Sequence, residues 1–238
     1  MSTPNPCPLP HSGLVLMFDR ALTGTDLAIG LAAFLLLWYV IGIQINRRRA
    51  ATLMRQVRDS IQPLGGAATI RWFGRSAFRV EAEQLTSPFV RLDVSVVLEP
   101  RETFLLWVLG RLRGRRDWLL ASATLTGRVV SSFEVYHPKR RGAFQVASEI
   151  REKGWRPEPL PGCPPLLCAA PDADGLALAR DVMNILARTN VWRVGLRPEA
   201  PHLIVSLPVP ATETKKTLPI FTILPQLARS VLSRGSGH

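Results

Sequence analysis

The chain has 238 residues, 47% hydrophobic and 20% charged, enough apolar content for one sizeable core and too much for a wholly disordered polypeptide. Lys and Arg number 30 against 18 acidic residues, a formal charge of +12, so the favoured partners are anionic: lipid headgroups, nucleic acid or acidic protein. Arg outnumbers Lys 26 to 4, which fits an Arg-rich coding background as well as it fits phosphate recognition.

Residues 1–26 begin with four prolines in the first ten positions, followed by the short apolar patch Leu14 to Phe18. They are expected as an extracytoplasmic tail. Leu27 to Ile45 is a run of 19 residues without a charge, which as a helix would cover about 28 Å, close to the hydrocarbon thickness of a bilayer. A buried core helix would carry a polar stripe, and here only Gln44 interrupts the run. A signal peptide would place its basic residues first; instead Asp19, Arg20 and Asp26 precede the run, and Arg47, Arg48, Arg49, Arg55, Arg58 and Asp59 follow it. The step from −1 to +4 predicts an outside N-terminus and a cytoplasmic remainder. Trp38 and Tyr39 fall in mid-span, away from the interfaces where aromatic residues gather.

Residues 46–66 are expected as a basic helical stalk, with Leu53, Met54, Val57 and Ile61 at helical spacing and Arg47, Arg48, Arg49, Arg55 and Arg58 at the membrane surface. Pro63 and Gly65-Gly66 end it. Residues 67–156 read as the first part of an α+β domain. Ala68 to Phe73 and Ala77 to Ala82 form a hairpin around Gly74, and Leu92, Val94, Val96 and Leu98 alternate as a half-buried strand. Glu102 to Leu112 is predicted as an amphipathic helix with Phe104, Leu105, Val108, Leu109 and Leu112 on one face. Trp118 to Leu125 and Val129 to Tyr136 read as an antiparallel pair around Gly127. A helix opens at Pro138 and runs to about Lys153, with Phe144, Val146, Ala147 and Ile150 as its apolar positions.

Residues 157–171, with six prolines, are a loop containing a short strand from Leu166 to Ala170. In residues 172–238, Asp172 or Asp174 caps a helix from Gly175 to Arg188. Strands Trp192 to Leu196 and His202 to Val209 and a last helix, Ile220 to Leu232, complete the domain. Helices and strands mixed without βαβ alternation give an α+β fold: one N-terminal transmembrane helix, then a cytoplasmic domain with a largely antiparallel sheet and packed helices.

No P-loop, dinucleotide fingerprint, zinc-protease or esterase motif occurs, so no cofactor, small-molecule substrate or catalytic residue is assigned. Asp172-Ala173-Asp174-Gly175 starts like a calcium loop, but Met183 stands where the distal Glu belongs, and a helix cap is the expected role. His137 and His202 have no neighbouring carboxylates in sequence and are expected to be structural. Cys7, Cys163 and Cys168 form no C-x-x-C pair and read as unpaired thiols, although the spacing leaves a Cys163–Cys168 bridge open. What remains is charge. Arg111, Arg113, Arg115 and Arg116 crowd the exit of one helix, and Lys139, Arg140 and Arg141 the start of another. Helix-end cations in water would explain the first cluster; binding of anionic lipid, RNA or acidic protein explains both.

Val90-Arg-Leu-Asp-Val-Ser-Val-Val-Leu98, the helix Arg101 to Leu112, the Arg111 to Arg116 turn, the strand Trp118 to Leu125, Phe133-Glu-Val-Tyr136 with Lys139 and Arg140, and the late strand Leu203 to Val209 follow one order after a single span. That order resembles the calumin family, coiled-coil-domain membrane proteins of the endoplasmic reticulum that join the chaperone complex for multipass insertion at ribosome-bound translocons. The likeness covers about two thirds of the chain and omits the family's acidic luminal segment and charged C-terminal coiled coil. It implies a membrane-anchored cytoplasmic α+β domain without enzymatic activity. Such an adaptor or chaperone-like protein would have the bilayer, other membrane proteins and a ribosome or RNA as partners. An accessory subunit of a larger membrane complex and a membrane-anchored enzyme with a spatially assembled site are the alternatives.

Overall fold

The computed structural model describes residues 23–140, 142–163, 165–187, 189–209 and 218–235. The expected tail from residue 1 to 22, with Cys7 and the Leu14 to Phe18 patch, lies outside the described residues, as do Arg141 and the expected helix end Arg188.

Helix α1, Gly24–Ile61, starts from a capping box in which the Thr23 hydroxyl accepts the Asp26 amide and the Asp26 carboxylate accepts the Thr23 amide. Its 38 residues divide into two environments. From Gly24 to Ile41 the side chains are exposed or nearly so, and this half makes the helix long and apolar enough to cross a membrane. From Gly42 onward Asn46, Ala50, Leu53, Val57 and Ile61 form a buried stripe at helical spacing. The segment expected as a stalk is therefore a core helix, and a single rod joins the apolar half to the domain.

Among the described residues nine strands form one sheet: β1 Ala67–Trp72, β2 Ala77–Glu83, β3 Phe89–Val97, β4 Trp118–Leu125, β5 Phe133–Tyr136, β6 Glu158–Pro159, β7 Leu167–Ala169, β8 Arg193–Leu196 and β9 Leu203–Pro208. Their order is β1-β2-β3-β4-β9-β8-β5-β7-β6, with every neighbouring pair antiparallel. The expected pairing of Trp118–Leu125 with the run ending at Tyr136 does not form. Six residues of β4 pair with β9, β8 follows, and β5 lies beyond both. The longer run shortens to the four residues Phe133–Tyr136, with Val129 buried and Val130 exposed ahead of it.

One face of the sheet carries the core. Val80, Val94, Val96, Leu119, Ala121, Val194 and Val205 meet α1, α4 (Ala173–Ile185) and α5 (Pro219–Gly235). Asp172 caps α4 by accepting the Gly175 amide at 2.7 Å, which resolves the choice between Asp172 and Asp174. On the opposite face α3, Ala143–Glu152, packs on β5 and β7 through Val146 and Ile150, while Arg79, Glu81, Arg91 and Asp93 form an open ion-pair ladder over β2 and β3. Pro138 does not open α3; the helix starts after Gly142, whose φ of +83° turns the chain into it. Of the expected apolar positions of this helix, Val146 and Ile150 are buried and Phe144 is 87% exposed.

Candidate functional site

The register of the sheet aligns one set of strand ends. Ala77 lies opposite Val97, Val97 opposite Trp118, Trp118 opposite Pro208, Ser206 opposite Arg193, and Arg193 opposite Tyr136. That end of the sheet carries the β1–β2 turn, the 98–103 loop, helix α2 (Phe104–Leu112) and both described basic clusters.

It is also where α1 changes character. Trp38 donates its indole N–H to the Arg101 carbonyl at 2.9 Å, and Gly42 lies so near the same loop that a Cβ would stand 2.4 Å from that oxygen. Four residues later the buried Asn46 amide donates to the Glu99 carbonyl and to Glu102, and its carbonyl accepts from Arg101 at 2.8 Å. Arg101 also pairs with Asp117 at 2.9 Å, Arg49 reaches the same carboxylate at 2.6 Å, and Asp117 accepts the Glu99 amide. Arg49, expected at the membrane surface, thus lies half-buried in this junction. Arg47, Arg48, Arg55 and Arg58 are exposed on α1. Truncating one partner of such a buried ion pair costs about 3–5 kcal/mol by leaving a charge uncompensated. The junction therefore fixes the apolar half of α1 against the sheet end. Asn46, Glu99, Arg101 and Asp117 lie up to 71 residues apart in sequence, and no motif joins them.

Helix α2 departs from its expected role. Only Gly110 is buried. Phe104 packs on Phe34 and Trp38, and Trp107 on Trp38, with ring centroids 4.9 to 5.4 Å apart. Leu105, Leu106, Leu109 and Leu112 are exposed, Leu112 by 79%. A helix apolar on every side has no periodicity from which to choose a core face. On the other flank of α1, Trp72 and Phe73 are exposed at the hairpin tip, and Arg75 donates to the Tyr39 hydroxyl at 2.8 Å. Trp38 and Tyr39 are therefore, with Phe34, among the points at which the domain grips the apolar half of α1.

The basic clusters meet beside α2. Arg140 donates to the Gly114 carbonyl at 3.4 Å and stacks on Trp192 with its guanidinium 5.0 Å from the ring centroid. Between the clusters lies a cavity of about 110 Å³, with Glu99, Arg113, Arg115, Trp118, Lys139 and Trp192 in its walls. A neighbouring cavity of about 300 Å³ reaches under the start of α3 and shares Trp118, Arg140 and Trp192. Arg111, Arg113, Arg115, Arg116 and Lys139 are exposed, Arg111 standing 3.9 Å from Glu99. The indole N–H groups of Trp118 and Trp192 and the Arg140 Nε–H are buried without hydrogen-bond partners among the described residues, and so are both Glu99 carboxylate oxygens. Burial, and then the Asp117 carboxylate, push the Glu99 pKa above its ordinary value, against the pull of Arg101, Arg111 and Arg116. Cations around unpartnered N–H donors suit an oxyanion.

His202 Nδ1 accepts the Leu125 amide at 3.0 Å, and His137 Nδ1 accepts the Lys139 amide at 3.2 Å. Burial and the nearby Arg140 hold the His137 pKa below its usual value. Both imidazoles thus fasten backbone. Glu134, 2% exposed at its side chain, is held by Arg193 and Arg197, with Glu149 completing the cluster. Cys163 and Cys168 are free thiols, and burial pushes Cys168 up to about 11. The described residues contain no group of three His, Cys, Asp or Glu arranged for a metal. No protein-family model matches the chain, and no curated protein matches it.

Proposed function

We propose that this is a single-pass, membrane-anchored adaptor without enzymatic activity, whose α+β domain rests on the cytoplasmic surface of the bilayer and offers its basic cleft to an anionic partner there. The carrying observation is the convergence of Arg111, Arg113, Arg115, Arg116, Lys139 and Arg140 at the same sheet end as the apolar half of α1, exposed α2 and the Trp72-Phe73 tip. An apolar face rimmed by cations is the arrangement that a bilayer with anionic headgroups attracts. The charge step across residues 27–45 supports the N-terminus outside. The resemblance to the calumin family adds membrane-protein biogenesis, with a ribosome or client membrane proteins as partners.

The reading is tested by mild-detergent purification of the full chain and of Arg113→Glu/Arg115→Glu/Lys139→Glu, followed by mass spectrometry of what is retained. Arg140 is left intact because it packs on Trp192. Partners retained by the parent and lost from the triple variant support the adaptor. Identical sets from both would contradict it. The alternative of an accessory subunit draws on Leu105, Leu106, Leu109 and Leu112, a face that a neighbouring membrane helix would cover. It predicts one stoichiometric partner insensitive to the charge reversal.

A further inference from the structure

The cleft contains more than surface charge. Trp192 is 8% exposed, and its indole N–H, that of Trp118 and the Arg140 Nε–H are all shielded from water with nothing accepting from them among the described residues. Buried donors are ordinarily satisfied, and three of them on residues that line this cleft and its neighbouring cavity point to an acceptor that arrives from outside. Arg113, Arg115 and Lys139 supply its countercharge. Glu99 lies in the same wall with a side chain 5% exposed and neither oxygen hydrogen-bonded. A bare phosphate would meet that carboxylate unfavourably, whereas a phosphate bearing a hydroxyl or ammonium donor would satisfy it. The cavity, about 110 Å³, admits one phosphate-bearing group and no nucleic-acid helix. Its wall resumes at Arg113, one residue after exposed Leu112 closes α2, so acyl chains attached to such a group have an apolar helix to follow.

We propose that this cleft is a phospholipid site: Trp118, Trp192, Arg140 and the surrounding cations hold a headgroup phosphodiester, and Glu99 accepts from a hydroxyl or ammonium group beyond it. The proposal rests on the membrane-surface reading and deepens it. Headgroups with such a donor, glycerol or ethanolamine, are preferred, and choline, which has none, is rejected.

The test uses the full chain in maltoside micelles, labelled with 5-fluorotryptophan, with the two cleft indoles assigned from Trp118→Phe and Trp192→Phe. Dihexanoyl phosphatidylglycerol, dihexanoyl phosphatidylcholine, inorganic phosphate and a single-stranded RNA 12-mer are titrated separately. The expected result is a saturable shift of both cleft resonances with the glycerol lipid, at least tenfold tighter than with the choline lipid or phosphate. Arg113→Glu/Lys139→Glu, at exposed positions, should weaken it at least tenfold while the Trp155 resonance stays in place, and Glu99→Met, which removes the acceptor, should abolish the preference over choline. No shift with either lipid, equal binding of inorganic phosphate, equal binding of the choline lipid, or a response to RNA alone would each overturn the proposal. Carbonate extraction of the same chain from membranes reads the anchoring separately. Extracted protein that still shows the lipid shift would sink the membrane reading and spare the site, and anchored protein without the shift would do the reverse.

Discussion

Glu99 sets the pH response expected at the residue scale. Its folded pKa is raised, so the fold binds its proton more tightly than the unfolded chain does. Its contribution is fully present below the ordinary carboxyl value and is lost as pH rises through the folded one. Glu99→Gln, which keeps the backbone amide on Asp117, should raise the thermal midpoint at pH 8 and leave it nearly unchanged at pH 4, measured by circular dichroism in detergent without lipid. Gly42 offers a steric counterpart. A Cβ there would stand 2.4 Å from the Arg101 carbonyl, so Gly42→Ala must push α1 off the loop and strain Trp38 and Asn46. A loss of about 1–3 kcal/mol is expected on denaturant titration, the cost typical of forcing atoms into a packed site. An unchanged midpoint would mean that the junction is loose.

At the scale of elements, α1 should respond to truncation in two ways. Leu53→Ala, at 3% exposure, should cost about 2–5 kcal/mol, whereas Leu36→Ala, at 67% exposure, should stay within about 0.5 kcal/mol in detergent. Equal effects would refute the division of the helix. For α4, Asp172→Ala should cost about 1 kcal/mol through loss of the cap, with no dependence on added calcium. Much of this level is legible in the sequence. Leu92, Val94, Val96 and Leu98 alternate as a strand should, and Leu53, Val57 and Ile61 keep helical spacing in α1. Periodicity, however, identifies a face without naming what covers it. That is why Val57 reads equally as stalk or core, and why α2, apolar all round, gives no usable face. Two strand-like runs separated by a short loop also read the same whether they pair or, as with β4 and β5, leave room for β9 and β8 between them.

For the whole molecule, the arrangement of strand ends converts local features into one surface. The two basic clusters are visible as runs of Arg and Lys, but their meeting depends on β4, β9, β8 and β5 lying side by side, a non-local order that sequence spacing does not encode. The Asn46–Arg101–Asp117 junction is hidden for the same reason. Together they give the apolar half of α1 a fixed direction relative to the sheet, with α2 and the Trp72-Phe73 tip flanking it and the cleft at its base. The opposite sheet end, with Val90 and Val130, should face water. If this end of the sheet lies at the bilayer, nitroxide depth profiling of the full chain in liposomes will show it. Labels replacing Leu106 and Phe73 should collide preferentially with oxygen, and one replacing Val130 with an aqueous nickel chelate. An aqueous profile at Leu106 equal to that at Val130 would mean that this end of the sheet faces water.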